Sequence, residues 1–305
     1  MRHLLTLQDL PRDTLERLLD AAQALRPDAL RRGPHRPLRG LTVANLFFEP
    51  STRTRASFQL AAQRLGADVV NFDAESSSTR KGETLVDTLR NLEAMGAGLF
   101  VVRHTHSNVL AALAGAAAET RSVVSAGDGR TSHPTQGLLD MLTIRQHKGE
   151  YFSRLSVAII GDIRHSRVAR SDVEALRTLG VRDIRIAGPE SLLPDADAEA
   201  FHGTRTVHDL AQALDGCDVV MMLRLQRERM DEGLVSSLEE YYRDWGLSPE
   251  ALALAKPDAI VLHPGPMNRG VEIADAVADG PQSVILDQVS NGVAVRMAVL
   301  EALAR

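Results

Sequence analysis

The stretch from Leu41 to Phe72 leaves this chain few folds to choose from. Leu41-Thr42-Val43-Ala44-Asn45-Leu46-Phe47-Phe48 is short, apolar and rich in β-branched and aromatic residues, which predicts a buried strand. Pro50 stops it. From Ala56 the apolar positions Phe58, Leu60, Ala61, Ala62 and Leu65 fall three and four apart, the spacing of an amphipathic helix, and Gly66 ends it. Ala67-Asp68-Val69-Val70-Asn71-Phe72 then reads as the returning strand of a βαβ unit.

The alternation continues. Strands are expected at Leu99–Val102, Ser122–Ser125, Leu155–Asp162, Asp183–Gly188, Asp218–Leu223 and Ala259–Leu262. Helices are expected over the N-terminal stretch to Leu25, at Leu85–Met95, at Val109–Thr120, from Pro134, from about Val168 to Leu179, and at Val293–Leu300. At 305 residues there is room for two domains with separate cores, and Lys148–Ser153 is the expected junction.

The helix mouth after Pro50 carries chemistry. Ser51, Thr52 and Thr54 sit where unpaired backbone N–H groups and the positive end of the helix dipole point outward. Arg53 and Arg55 add planar guanidinium forks that match phosphate oxygens. A generic Ser-Thr-Arg there is usually no more than a cap with solvated arginines, so the rest of the chain decides. A net charge of −5 argues against nucleic acid as a partner, so basic residues are read locally. Only three of the 35 basic residues are lysines, Lys81, Lys148 and Lys256, so a loop lysine such as Lys81 is a specific choice. The single Cys217 excludes internal disulfides. No apolar run approaches the roughly 20 residues that cross a bilayer, no signal peptide opens the chain, and a cytoplasmic location is expected.

Other polar strings fall at strand ends or in loops. Asp73–Thr84 is too polar to build a core and reads as a mobile loop. Arg103 and His104 follow an apolar strand, at the end where open α/β sheets bind ligands. His104 and His106 lack a third ligand for a metal. The turn Gly161-Asp162-Ile163-Arg164-His165-Ser166-Arg167 has the outline of a dinucleotide site but lacks its second and third glycines, so no nicotinamide or flavin is expected. Met230–Pro249, acidic with Tyr241, Tyr242 and Trp245, reads as a mobile flap.

Phe48-Glu49-Pro50-Ser51-Thr52-Arg53-Thr54-Arg55 resembles the carbamoyl-phosphate signature of the aspartate/ornithine carbamoyltransferase family over eight consecutive residues. Five further segments resemble that family in its order: Lys81-Gly82-Glu83-Thr84, His133-Pro134-Thr135-Gln136, Arg167, Leu223-Arg224-Leu225-Gln226, and His263-Pro264-Gly265-Pro266. Many members carry Leu at the place of Gly265, a change that backbone contacts survive. The resemblance implies two doubly wound parallel-sheet α/β domains joined by interdomain helices. Residues 1–133 with 288–305 would bind carbamoyl phosphate and 134–287 the amine substrate.

It also implies roles. Ser51, Thr52, Arg53, Thr54 and Arg103 would hold carbamoyl phosphate, His133 its carbonyl oxygen, and Gln136 with the backbone at Gly265 and Pro266 its amide. Lys81, Arg167, Arg224 and Gln226 would hold L-aspartate, with Ser77 and Lys81 reaching in from the neighbouring subunit of a homotrimer. Thr54, Arg103, His133 and Lys81 would be catalytic. The ornithine enzymes' Ser-Met-Gly and Cys-Leu-Pro segments are absent, and a cationic ornithine side chain would meet Arg224 unfavourably. No metal or organic cofactor is required. A carbamoyltransferase for ornithine or another amine, and an inactive scaffold paralogue, are the alternatives. The sequence leaves open whether regulatory chains or a dihydroorotase join the trimer.

Overall fold

The computed structural model of the chain describes residues 1–8, 10–31, 33–73, 82–195, 198–226 and 237–304. They form two compact units, Met1–Leu142 with Val289–Arg305, and Thr143–Gln288. The chain passes from one to the other inside two helices, α5 (Pro134–Lys148) and α11 (Ile285–Leu303). The resemblance implies boundaries at 133/134 and 287/288, and the residues themselves a junction at Lys148–Ser153. In the structure Leu138, Leu139 and Leu142, in the first turns of α5, are buried within the first unit.

The first unit begins with α1 (Arg12–Leu30) and continues β1 (Thr42–Phe47), α2 (Thr52–Arg64), β2 (Asp68–Asp73), α3 (Leu85–Ala94), β3 (Ala97–His104), α4 (Val109–Ala116) and β4 (Ser122–Asp128). Its four strands are parallel, in the order β2-β1-β3-β4. Side chains alternate across a strand, so β1 serves two layers. Ala44 and Leu46 pack with Phe100, Val102, Leu89, Leu110 and Leu113 against α3 and α4. Val43 and Asn45 face the other way, and the buried Asn45 Nδ2 donates to Asn71 Oδ1 at 2.9 Å, its register partner on β2. Phe58, Ala61 and Ala62 are the buried face of α2. The expected helix to Thr120 stops at Ala116, because side chains take over its end: Arg2 Nη2 donates to the carbonyls of Ala117 and Ala118, and Ala118 N–H donates to Glu93 Oε1. Phe100, wholly buried at the middle of the sheet, sets a stability expectation. Phe100→Ala should cost about 3–5 kcal/mol through lost burial and a cavity, read as a lower denaturation midpoint at unchanged m-value.

The second unit holds β5 (Ser156–Ile160), α6 (Arg167–Thr178), β6 (Asp183–Ala187), β7 (Arg205–Val207), α7 (Leu210–Leu214), β8 (Val219–Met222), α8 (Leu238–Trp245), α9 (Pro249–Leu252), β9 (Ile260–Leu262) and α10 (Asp275–Ala278). Its parallel sheet runs β7-β6-β5-β8-β9. Ala158, Ile160, Val220, Met222 and Val261 form one face with Ala213, Leu214, Leu252 and Val277. The buried Arg185 of β6 donates to the carbonyls of Ala213 and Asp215 at the end of α7 and to Asp183, whose carboxyl it holds below the ordinary range. Cys217 beside it is buried, which pushes its thiol up to about 11 and leaves it inert as a nucleophile.

Part of the stretch expected as a flap forms a helix. Of Met230–Pro249, residues 230–236 lie outside the described residues, and the remainder is packed structure. Ser237 Oγ caps α8 by accepting from Glu240 N–H at 3.1 Å. Tyr241 and Trp245, one turn apart on one face, join Leu192 and Leu225 in a small apolar cluster. Tyr241 is 2% exposed, and burial pushes its phenol above its ordinary range. Tyr241 and Trp245 stand at helical spacing, with Tyr242, Arg243 and Asp244 between them in the sequence.

Candidate active site

In the first unit the strand order reverses between β1 and β3, the switch point where open sheets take ligands. Phe48 N–H donates to the Arg103 carbonyl at 2.8 Å, so the chain leaving β1 runs along the end of β3. Ser51 then opens α2 in extended conformation and makes no side-chain capping bond, leaving its hydroxyl outside the helix ladder. The helix starts at Thr52, earlier than the expected Ala56, because the apolar pattern reports only the packed turns. Thr54 is buried, whereas Thr52, Arg53 and Arg55 are exposed.

Arg103 is buried at the end of β3. Its Nη2 donates to Glu49 Oε1 at 2.8 Å and its Nη1 to the Ala126 carbonyl at 3.1 Å, which fixes the plane of the guanidinium. His104 follows, its imidazole pKa lowered chiefly by burial, with its ring 5.6 Å from that of Phe48. Gly129 N–H donates to the His104 carbonyl at 2.9 Å, and Asp128 N–H to the Ser132 carbonyl at 3.0 Å, a tight turn that delivers the buried His133 to the mouth of α5. Gln136 lies in the first turn of α5, its amide Nε2 donating to both carboxylate oxygens of Asp140 at 3.1 and 3.2 Å. The unit therefore gathers, around the ends of β1, β3 and β4, the oriented guanidinium of Arg103, a buried imidazole and two helix N-termini. Such an array can hold an anion and polarise a carbonyl.

In the second unit the reversal falls between β5 and β8, where Leu223 N–H donates to the Ile160 carbonyl at 2.8 Å. The two chains cross so closely that a Cβ on Gly161 would come within 2.9 Å of the Leu223 carbonyl oxygen. Asp162, wholly buried, accepts from His165 N–H at 3.2 Å, His165 Nδ1 at 2.8 Å and Gln226 N–H at 3.4 Å, tying the turn after β5 to the segment after β8. Ser166 Oγ caps α6 by accepting from Ala169 N–H, which sets the buried Arg167 as the first helical residue. Along Leu223-Arg224-Leu225-Gln226 burial alternates, the leucines inward and Arg224 and Gln226 only half-buried. Leu225 anchors the segment against Tyr241 and Leu192.

The last strand leads into a braced turn. Gly265 N–H donates to His263 Nδ1 at 2.8 Å, so the proton on His263 is on Nε2, facing Glu272 Oε1 at 3.1 Å. Asn268 N–H donates to the same carboxylate at 2.6 Å. Gly265 has φ +65°, a left-handed conformation that favours glycine. Glu49, Asp162, Asp140 and Glu272 are the residues that sequence reasoning missed. All four are buried or nearly buried carboxylates, each orienting another side chain or turn; only Glu49, inside the signature itself, carried a local signal. Ser77 and Lys81 lie outside the described residues.

Residues 2–146 match the family described as aspartate/ornithine carbamoyltransferase, carbamoyl-P binding domain, and residues 153–303 match its Asp/Orn binding domain. The chain is 64% identical over 305 residues to the aspartate carbamoyltransferase catalytic subunit of Stenotrophomonas maltophilia strain K279a, covering 99% of this chain and 96% of that one. It is 63% identical over 304 residues to the corresponding subunit of Xanthomonas campestris pv. campestris strain B100, with the same coverage. Among solved structures, aspartate transcarbamoylase of Trypanosoma cruzi in complex with carbamoyl aspartate and phosphate superposes with TM-score 0.90 at 29% identity, covering 100% of this chain and 96% of that one. Ornithine carbamoyltransferase from Thermus thermophilus gives TM-score 0.87 at 27% identity, covering 100% and 99%.

Proposed function

The chain belongs to the aspartate/ornithine carbamoyltransferase family, and from that premise we propose that it transfers the carbamoyl group of carbamoyl phosphate to the α-amino group of L-aspartate, giving N-carbamoyl-L-aspartate and phosphate. The fold does not choose the amine, since an ornithine enzyme superposes almost as well as an aspartate enzyme. The choice rests on the 64% identity over nearly the whole chain to an aspartate carbamoyltransferase catalytic subunit. The Leu223–Gln226 segment favours the same amine, presenting a guanidinium to an acidic side chain.

Ser51, Thr52, Arg53, Thr54 and Arg103 hold the phosphoryl group, and Thr54, Arg103 and His133 the carbonyl oxygen. Gln136 and the carbonyls of Gly265 and Pro266 take the carbamoyl amide. Arg167, Arg224, Gln226 and Lys81 bind aspartate. The amine nitrogen attacks the carbonyl carbon, negative charge grows on the carbonyl oxygen, and the bond to the phosphate oxygen breaks. The departing phosphate carries away the proton of the amine, because a histidine that donates to the carbonyl cannot also accept that proton. Catalysis of this type rests on orientation and on donors aimed at the oxyanion, each worth about 3 kcal/mol.

Ser77 and Lys81 enter from the neighbouring subunit, so the active form is a homotrimer in the cytoplasm, serving an early step of de novo pyrimidine (UMP) biosynthesis. The resemblance of Lys81-Gly82-Glu83-Thr84 to the family's shared loop supports the trimer. The test is ureido product from the purified chain alone with carbamoyl phosphate and either L-aspartate or L-ornithine. Product with aspartate only is expected. Product with ornithine would overturn the choice of amine, and none with either, from a chain shown to be trimeric, would favour an inactive scaffold.

A further inference from the structure

We infer that Asp140 is a specificity-determining positioning residue: it locks the amide of Gln136 in the one orientation that demands an N–H donor on the acyl group of the phosphate substrate. The inference rests on the assignment of Gln136 to the carbamoyl group made above.

A glutamine amide presents two donors on one side and an acceptor on the other, and in isolation either face can meet a ligand. Gln136 and Asp140 stand one helical turn apart on α5, where side chains four residues apart meet. Both oxygens of Asp140 receive Gln136 Nε2, and the carboxylate is wholly buried. An ionised carboxylate only accepts hydrogen bonds. A flip of Gln136 would set its carbonyl oxygen against two buried acceptor oxygens. The flipped state is therefore excluded, and the amide oxygen is turned away from Asp140.

Arg296 sets a cation near the lock. It is 4% exposed on α11, its guanidinium lies 5.0 Å from the centroid of the Phe58 ring, and its charge is attracted by Asp140. Burial lowers its own pKa to about 10, which leaves it cationic at neutral pH. A cation in that place offsets part of the cost of burying the Asp140 carboxylate.

An acyl phosphate carrying NH2 on its carbonyl carbon satisfies the locked oxygen. Acetyl phosphate puts a methyl group there, desolvating that oxygen without a partner. The lock therefore separates carbamoyl phosphate from an acyl phosphate of nearly the same shape and charge.

The experiment is the affinity of the full-length protein for carbamoyl phosphate and for acetyl phosphate by calorimetry, at fixed pH, with thermal unfolding alongside. Asp140→Asn can meet Gln136 with either its oxygen or its amide nitrogen, so it tolerates both orientations. The expected result is a fall of about tenfold or more in the affinity ratio of the two ligands. In a Gln136→Ala background the ratio should already be low, and Asp140→Asn should not lower it further. If Asp140→Asn does not fold, Asp140→Leu with Arg296→Met replaces the buried pair by apolar groups and removes the lock as well. A ratio unchanged by either lock variant, with the melting temperature or both affinities lowered together, would mean that Asp140 only joins α5 to α11, and would overturn the inference. A ratio unchanged by Gln136→Ala would instead refute the assignment of Gln136 to the carbamoyl group.

Discussion

Arg103→Met should lower kcat for carbamoyl transfer by about 10²–10³, because it removes a preorganised donor from the developing oxyanion together with a phosphate ligand. The guanidinium is held on two sides, by Glu49 and by the Ala126 carbonyl, so its plane is fixed before substrate arrives. Donors that need no reorganisation at the moment of reaction are the ones that lower barriers. Arg103→Lys should recover little of the loss, since an ammonium cannot reach Glu49, Ala126 and a ligand as one planar fork. Glu49, with 15% of its side chain exposed in the unaltered protein, loses a cationic partner in the variant, so a lower melting temperature should accompany the kinetic defect. Steady-state kinetics together with carbamoyl phosphate binding separates the two effects. A kcat within tenfold of the unaltered protein, at full folding, would remove Arg103 from the chemistry.

What the sequence reveals of this site, and what it hides, follows from where the information lies. Most of the groups that the proposed function assigns to the ligand stand in short strings, Ser51–Thr54, His133–Gln136, Arg224–Gln226 and Gly265–Pro266, because a strand end followed by a turn presents several consecutive residues at once. The parallel strands are equally legible, since strands buried on both faces read as continuous apolar runs, Leu155–Ile160 among them. The three-residue strand β7 is not, as Arg205-Thr206-Val207 is too short and too polar to carry a period. The supporting carboxylates are the least legible class. Asp140 looks like any helix aspartate until the fold sets it one turn from Gln136 and beside Arg296, and Glu272 means nothing until His263, nine residues earlier, meets it. Contacts of this kind depend on tertiary placement, which no local pattern encodes.

Arg224→Met should raise KM for L-aspartate and lower kcat/KM by about 10³, while carbamoyl phosphate binding stays unchanged, because the phosphate ligands belong to other elements. Truncating one partner of a desolvated charge pair typically costs about 2–5 kcal/mol, much of it from the charge left without a partner. Leu223 and Leu225, each 1% exposed, pin the segment from both sides, so the loss should appear in substrate binding and not in folding. The variant also tests the choice of amine. At an effective dielectric of about 20, two unit charges about 4 Å apart interact by about 4 kcal/mol, and the sign depends on the substrate. The aspartate carboxylate is attracted by Arg224, and the ornithine ammonium is repelled by it. A neutral residue at 224 removes both terms together. The ratio of kcat/KM for aspartate to that for ornithine should therefore fall by more than aspartate activity falls alone. Progress curves with each amine measure this, and a ratio that stays constant while aspartate activity collapses would show that selectivity resides in another group, with Arg167 the first to be replaced.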